Sequence, residues 1–198
     1  MKRRLHLIIV SYPSRLDATL ETIAHTVARG ANEDRVVERA QDHSDVRYLV
    51  KLWHLRDREV HLVDLVGHGD GGRFKLGDEI LFASDGTGLE LVDEWTPFLS
   101  KRATLRVLGC SVGNQSSGTF DGRLLLKKLH ARLGLSRRVL APTRALFTID
   151  YGTSGLSPRA VRSLAGSRST PRRPYGSKAK QGNRQQPRQA QGNHAARR

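Results

Sequence analysis

One cysteine and one histidine occupy matching places in the chain, each at the end of an apolar segment. His68 follows the apolar residues 60–67, and Cys110, the only cysteine, follows residues 105–109. We predict that the two segments are neighbouring parallel strands, each with one of these residues at its carboxyl end. Because clefts form beyond the carboxyl ends of parallel strands, we expect the two side chains to meet there. A thiol and an imidazole brought together form a nucleophile and its base.

The residues around this pair favour catalysis by the thiol. A nucleophilic cysteine needs its thiolate form and access to solvent, and Cys110 lies where an apolar segment gives way to a turn rich in Gly and Ser. Gly109 and Gly113 would let a substrate backbone approach, and the N–H groups of Gly69 and Cys110 are candidate oxyanion donors. Taken alone, Cys110 fits a buried small side chain and His68 a turn histidine. Their joint placement favours catalysis.

The segments before His68 predict a strand followed by a helix. Residues 5–10 have the pattern of a buried strand, and Ser14 to Asp17 matches a capping box at a helix start. The spacing of the next apolar residues predicts an amphipathic helix that stops at Gly30. These residues are Leu16, Leu20, Ile23 and Val27.

The rest of the first 150 residues continues this alternation. Residues 35–40 predict an edge strand, a helix capped by Ser44 follows, and residues 73–82 predict a hairpin turning at Gly77-Asp78. Thr87 starts a second capping box before a helix that Pro97 kinks or splits, and a leucine-rich helix ends at Gly134. Residues 139–141 and 145–147 are the last strand candidates. The alternation predicts an α/β fold, a three-layer sandwich around a mostly parallel sheet.

Charge is unevenly distributed along the 198 residues. The net charge is +15, but residues 151–198 hold 11 Lys and Arg and no acidic residue, so residues 1–150 carry only +4. We predict a folded domain over residues 1–150 and a disordered basic tail over residues 151–198, whose few large apolar side chains cannot offset its chain entropy. Such a tail binds nucleic acid or another polyanion without sequence preference, or is only a solvated extension.

The cysteine count and the hydropathy pattern favour a cytoplasmic protein. A single cysteine excludes an intrachain disulfide, which fits a reducing compartment. The apolar run after Arg4 is too short for a signal peptide. No segment approaches the roughly 20 apolar residues that a membrane span needs.

Two ligand sites are weaker alternatives. His68 with Asp70, plus Asp64 or Asp78, could ligate a metal, but no second histidine has a suitable spacing. Three glycines match G-x-G-x-x-G, although a hairpin and not a helix is predicted after them. They are Gly67, Gly69 and Gly72.

A serine hydrolase is a third alternative. Residues 109–113 match G-x-S-x-G with Ser111 as the nucleophile. Its partners would be Asp121 with His130, or Asp150 with His194, and both pairs have little support. We therefore expect a site built on Cys110 and His68, with no metal and no cofactor.

The arrangement resembles the caspase-like cysteine peptidases, a group that includes caspases, metacaspases, the gingipain and clostripain peptidases and the CHAT domains. The likeness rests on an apolar strand ending in His68-Gly69 and a second one ending in a small residue followed by Cys110. The stretch from His68 to Gly72, with Leu76-Gly77 after it, is also similar to less characterised bacterial domains of this type. The resemblance covers roughly residues 5–147.

The resemblance implies a caspase-like sheet and a Cys–His dyad, with no obligatory third acid, that hydrolyses peptide bonds after a selected P1 residue. By matching position, Cys110 would be the nucleophile, His68 the general base and acid, and Gly69 an oxyanion donor. The spacing agrees with the roughly 50 residues between His and Cys in caspases. Around Cys110 the chain reads Leu-Gly-Cys-Ser-Val-Gly, unlike the caspase Gln-Ala-Cys-x-Gly, so cleavage after aspartate has no support.

We predict a cysteine peptidase that acts on a protein or peptide substrate through Cys110 and His68. The alternative is a catalytically silent module of the same fold whose basic tail binds a polyanion. The two hypotheses differ at the thiol: the peptidase needs Cys110 to react quickly near neutral pH, whereas the silent module predicts a slow, buried or ordinary thiol.

Overall fold

Strands alternate with helices over the residues that the computed structural model describes, which are 2–114 and 120–167. The largest sheet is built from β1 (Arg3–Ser11), β2 (Arg35–Ala40), β3 (Arg58–Val66), β7 (Leu99–Leu108), β8 (Arg138–Pro142) and β11 (Leu164–Ser167). Two small sheets are built from β4 (His68–Asp70), β5 (Arg73–Leu76) and β6 (Glu79–Ala83), and from β9 (Tyr151–Gly152) and β10 (Gly155–Leu156). The α-helices are α1 (Ala18–Ala28), α2 (His43–Leu55), α3 (Leu91–Trp95), α4 (Gly122–Leu133) and α5 (Pro158–Val161), and 3-10 helices span Thr96–Phe98 and Thr148–Asp150.

The large sheet is mostly parallel, with the strand order β11-β8-β7-β3-β1-β2. Every neighbouring pair is parallel except β11, which runs antiparallel to β8. The strands β3 and β7 pair directly, with Val66 opposite Leu108 at their carboxyl ends. The predicted α/β fold with a mostly parallel sheet is confirmed.

Helices cover both faces of this sheet. On β1, Leu7 and Ile9 pack in the core beneath α2, α3 and α4, whereas Ile8 and Val10 pack in a second core with α1 and α5. This division follows the two-residue periodicity of a strand, which points successive side chains to opposite faces. The sheet therefore lies between two helical layers, as the predicted three-layer sandwich requires.

A charged cluster is buried in the face that α1 covers. His6 Nε2 lies 2.8 Å from Asp64 Oδ2, and the Arg106 guanidinium donates to both oxygens of Asp64. Burial alone would raise the pKa of Asp64, but the hydrogen bond from His6 and the charge of Arg106 hold the pKa below its ordinary value. These partners allow an ionised carboxylate inside the core.

The helix α1 begins later, and α2 begins earlier, than the sequence predicts. Asp17, and not Ser14, caps α1, because its side chain accepts hydrogen bonds from the first-turn N–H groups. Asp42 does the same for α2, so Ser44 falls inside the first turn. No side chain caps α3, although Thr87 starts a capping-box pattern. Residues 14–17 precede the helix, which leaves Leu16 86% exposed and not on the buried face.

Two predictions about local breaks are confirmed. The helix α3 ends at Trp95, and Pro97 lies in the 3-10 helix that follows, so the proline splits the predicted helix. Gly134 ends α4 with a φ of 94°.

The predicted hairpin is also present, since β5 and β6 pair antiparallel across Gly77 and Asp78. At Gly77 φ is 60°, and a Cβ would lie only 1.8 Å from the Gln41 carbonyl oxygen, so this turn requires glycine. The strand β4 adds to the hairpin next to β5. His68 therefore opens a short strand.

Ordered structure continues beyond residue 150, where the sequence placed the start of the tail. Residues 151–167 form β9, β10, α5 and β11, and β11 joins the large sheet beside β8. Leu156 and Ala160 are buried there. These elements are too short to give a periodic pattern, so the boundary at residue 150 is wrong for this segment. The rest of the predicted disordered tail, residues 168–198, lies outside the described residues.

Candidate active site

His68 and Cys110 occupy equivalent positions beyond β3 and β7. Each follows by two residues a member of the opposed pair Val66 and Leu108. Because strand side chains alternate with a period of two, His68 and Cys110 continue the face that Val66 and Leu108 occupy. This is the face that α1 covers. The structure brings the two predicted residues to the wall of one cleft.

Close backbone contacts join the two strand ends. A Cβ on Gly109 would lie 2.9 Å from the carbonyl oxygen of His68 and 2.8 Å from Val112 Cγ2, and one on Gly69 would lie 2.4 Å from the same methyl group. Real Cβ atoms do not approach this closely, so both positions need glycine.

These glycines serve the fold and not the substrate. The space beside Gly109 is filled by Val112 and by the backbone of His68, and a Cβ on Gly113 would lie 2.8 Å from the carbonyl oxygen of Ala141. The expectation that Gly109 and Gly113 leave room for a substrate backbone is therefore wrong.

The carboxylate of Asp17 contacts the imidazole ring of His68, a contact that the sequence did not predict. The distance from His68 Nε2 to Asp17 Oδ2 is 2.5 Å, while Oδ1 accepts hydrogen bonds from the N–H groups of Thr19 and Leu20. An ionised carboxylate only accepts hydrogen bonds, so Nε2 carries the proton and, in the neutral ring, Nδ1 keeps its lone pair. The residue that caps α1 thus also fixes the tautomer of His68.

The surroundings of Asp17 favour its ionised form. Burial alone would raise the pKa of this carboxyl group, but the hydrogen bonds from the Leu20 N–H and the His68 ring hold the pKa below its ordinary value. Asp17 is therefore a carboxylate at neutral pH, as a residue that orients an imidazole must be.

Cys110 is half-buried at the start of a sharp turn. Its thiol donates to the carbonyl oxygen of Leu146 at 3.5 Å. The next residue, Ser111, has a φ of 54°, a conformation that is uncommon outside glycine, and its N–H donates to the carbonyl of Arg144. Within the described residues, the N–H of Cys110 makes no backbone hydrogen bond. The oxyanion roles of Cys110 and Gly69 stay predictions.

The cleft beside this pair has a volume of about 240 Å³. Its walls come from α1, from the ends of β3 and β7, and from the segment after β8. The lining residues are Thr19, Leu20, Ile23, Val66, Gly67, His68, Leu108, Cys110, Leu146, Phe147 and Tyr151. Burial raises the pKa of the Tyr151 phenol, and the nearby charge of Asp64 raises it further, so this group is neutral.

A protein-family model matches residues 16–146, which is more than half of the chain, and its description is a domain of unknown function, DUF4347. The chain belongs to the DUF4347 family. The matched residues include Asp17, His68, Cys110 and Leu146.

No curated protein matches this DUF4347 chain. One solved structure, described as the crystal structure of a small-chain dehydrogenase, is 10% identical, with 66% of this chain and 71% of that chain covered and a TM-score of 0.30. A likeness this weak carries no argument about fold or function.

In this DUF4347 domain, a loop after β8 forms one wall of the cleft, although the sequence predicted a strand there. Residues 145–147 form no strand. Instead, the Asp150 carboxylate accepts hydrogen bonds from the Arg144 guanidinium and from the N–H of Phe147. The Arg144 hydrogen bond holds the pKa of Asp150 below its usual range. This ion pair fixes the loop that carries Leu146 and Phe147.

The aspartates considered as metal ligands have other partners in the DUF4347 domain. Asp64 binds Arg106, Asp70 binds Arg73, and Asp78 accepts a hydrogen bond from the Ser14 N–H. Among the described residues, no group of three His, Cys, Asp or Glu could hold a metal ion.

The other two alternatives do not assemble either. The glycines of the dinucleotide pattern lead into the hairpin of β5 and β6, not into a helix. Asp121 caps α4, and His130 Nε2 lies 3.1 Å from the Arg137 carbonyl oxygen, so neither is held against Ser111. His194 lies outside the described residues. No helix in residues 2–114 or 120–167 is long and apolar enough to cross a membrane.

Proposed function

We propose that this DUF4347 chain is a cysteine peptidase of the caspase-like type, with Cys110 as the nucleophile and His68 as the general base and acid. One observation carries the proposal: His68 and Cys110 line the same cleft from adjacent strand ends, and the Asp17 contact engages Nε2 of His68, so that in the neutral ring Nδ1 is the nitrogen that can accept a proton. A cleft of this kind at the carboxyl edge of a parallel sheet is the usual place for chemistry in α/β folds.

The reaction would proceed in two halves. His68 Nδ1 takes the proton of the Cys110 thiol, and the thiolate attacks the peptide carbonyl to form a tetrahedral oxyanion. The N–H groups of Cys110 and Gly69 would stabilise this oxyanion. The imidazolium then protonates the leaving amine and a thioester remains. Water, deprotonated by His68, hydrolyses the thioester and restores the thiol.

Asp17 adds a positioning residue that the resemblance did not require. Its hydrogen bond holds the ring in one tautomer and would stabilise the imidazolium formed during the reaction. Because Asp17 also accepts hydrogen bonds from two first-turn N–H groups, its own position is fixed by α1.

The thiol must leave the carbonyl of Leu146 before it transfers its proton. Rotation about the Cα–Cβ bond of Cys110 moves the sulfur without any change of the backbone. Catalytic hydrogen bonds are often long or absent without substrate and tighten in the complex. The contact with Leu146 therefore fits a resting state.

Cleavage of a diverse peptide library by the purified full chain tests the proposal. We expect cleavage by the wild type, and loss to the assay background in both Cys110→Ala and His68→Ala. The variant His25→Ala is a matched control, because His25 is an exposed histidine on α1 outside the cleft. Cleavage that survives in Cys110→Ala would exclude the mechanism.

Alkylation of the thiol gives a second readout that needs no substrate. In the peptidase, iodoacetamide should modify Cys110 quickly near neutral pH, and His68→Ala should slow that reaction. A wild-type thiol as slow as that of His68→Ala, together with no peptide cleavage, would contradict the proposal.

The second candidate is a catalytically silent module whose basic tail binds a polyanion. It is favoured by the Cys110 thiol donating to Leu146 and by the lack, among the described residues, of a hydrogen bond between Cys110 and His68. Residues 168–198, which follow the last described strand, supply 9 basic side chains and no acidic one. This candidate predicts that the full chain binds single-stranded nucleic acid with an affinity that falls steeply with salt, and that Cys110→Ala leaves all its activities unchanged.

A further inference from the structure

The cleft beside Cys110 has apolar walls. Leu20 and Ile23 from α1, Val66 from β3, Leu108 from β7 and Leu146 from the loop after β8 all line it. Each of these five side chains is at most 7% exposed. The reactive pair lies on the wall of this apolar space.

The size of the cleft fits one side chain. Its volume is about 240 Å³, which lies below the roughly 300–1,000 Å³ of pockets that take drug-sized ligands. A dinucleotide or another large cofactor exceeds this space, whereas a single large amino-acid side chain fits it.

The cleft offers no partner for a charged substrate side chain. Within the described residues, none of the side chains that line it is a carboxylate, a lysine or an arginine. An ionised group buried without a partner loses its hydration and gains nothing in return. The exposed ring of Phe147 instead extends the apolar surface to the mouth of the cleft, where it is 60% exposed.

We infer that this cleft is the P1 pocket and that it selects a large apolar side chain, such as leucine, methionine or phenylalanine, on the residue before the scissile bond. The inference rests on the proposed peptidase function, because it assigns the substrate class of the same site. The aliphatic wall would then bind the P1 side chain, and the Cys110 thiolate would attack the carbonyl carbon of the same substrate residue.

Peptides that differ only at P1 test the substrate class in the wild type. We expect kcat/KM for Leu or Phe at P1 to exceed that for Asp or Arg by at least about 10-fold, since one methylene in an apolar pocket is already worth about 10–200-fold. Phe147→Ala should lower kcat/KM for the Phe peptide by about 10-fold. Ile149→Ala is its control, because Ile149 is 86% exposed in the same segment and does not line the cleft.

A carboxylate placed in the wall should change the preference. Thr19 is exposed and lines the cleft in the first turn of α1, where an acidic side chain is favourable for the helix. Thr19→Glu should raise the ratio of kcat/KM for Arg over Leu at P1 by about 5-fold. Thr22→Glu puts the same charge on α1 outside the cleft and should leave the ratio unchanged. Because a ratio is compared, any effect on His68 cancels.

The outcomes separate the two claims. Faster cleavage after Asp or Arg in the wild type, with loss in Cys110→Ala, would overturn the apolar P1 pocket and leave the peptidase in place. If Thr19→Glu and Thr22→Glu have equal ratios of kcat/KM for Arg over Leu at P1, the P1 side chain binds outside this cleft. If the wild type cleaves no peptide, the proposed function fails and the inference fails with it.

Discussion

Two His–Asp pairs lie on the same face of the sheet, and they differ in burial and in the partners of their carboxylates. In the first, His6 and Asp64 are almost fully buried, and the Arg106 guanidinium occupies both oxygens of the carboxylate. In the second, the side chain of His68 is 51% exposed and that of Asp17 is 23% exposed, at the end of the sheet.

The two pairs differ in how the carboxylate is exposed and which groups it binds. Asp64 is surrounded by partners and closed off from solvent, so its pair can only hold the strands together. Asp17 divides its oxygens between the N–H groups of α1 and Nε2 of His68, and the His68 side chain lines the cleft. The buried charged cluster is thus structural, whereas the half-exposed pair, whose histidine lines the same cleft as Cys110, fits the proposed catalytic role.

The largest effect should follow from breaking the buried cluster. Asp64→Asn removes the negative charge and leaves Arg106 buried without a counter-charge, so we expect a loss of about 3–5 kcal/mol in the free energy of unfolding, measured in urea. A double variant, Asp64→Leu with Arg106→Leu, should regain most of that loss, since no unpaired charge remains. A loss under 1 kcal/mol in Asp64→Asn would mean that the cluster is not structural.

The second effect should fall on activity and not on stability. Asp17→Asn keeps a good N-cap for α1 but removes the carboxylate from His68. A hydrogen bond to a charged group is worth about 1.5–3 kcal/mol, so kcat/KM for a cleaved peptide should fall about 10- to 150-fold.

Asp121→Asn is the matched control for Asp17→Asn. Asp121 caps α4 through the N–H groups of Arg123 and Leu124 and does not contact His68. We expect both variants to lose similar, small amounts of stability, and only Asp17→Asn to lose activity. An equal loss of activity in the two variants would assign Asp17 to the fold alone.

The sequence predicted half of this site for a physical reason. His68 and Cys110 each end an apolar run, and the periodicity of a strand carries that local information directly into space. The same reasoning predicted the neighbouring parallel strands β3 and β7, which the structure confirms.

Asp17 escaped prediction because its role depends on tertiary contact. It lies 51 residues before His68, and its local pattern is that of a residue near a helix start. The apolar run that contains Leu146 was equally misleading, since the Arg144–Asp150 ion pair turns a strand-like sequence into a cleft loop. The short elements after residue 150 gave no periodic signal at all.

The third effect concerns the junction between the two strand ends. Gly109→Ala would place a methyl group 2.8 Å from Val112 Cγ2 and 2.9 Å from the His68 carbonyl oxygen, so we expect a loss of about 1–3 kcal/mol in unfolding free energy and reduced alkylation of Cys110 near neutral pH. Gly152→Ala, where nothing lies within 4 Å of the added methyl group, should change stability by less than about 0.5 kcal/mol. Equal effects at the two glycines would argue against a close junction.

The smallest effect should appear in acid. The pKa values of Asp17 and Asp64 both lie below the ordinary aspartate value, so each carboxylate contributes stability that is present above about pH 4 and is lost as the pH falls through its folded-state pKa. The stability gap between the wild type and each Asn variant should therefore narrow from pH 6 to pH 3. We expect less narrowing for Asp17 than for Asp64, because solvent screens the partly exposed pair. Urea unfolding at the two pH values measures both gaps, and a wider gap at pH 3 than at pH 6 for either residue would reverse the sign of its pKa shift.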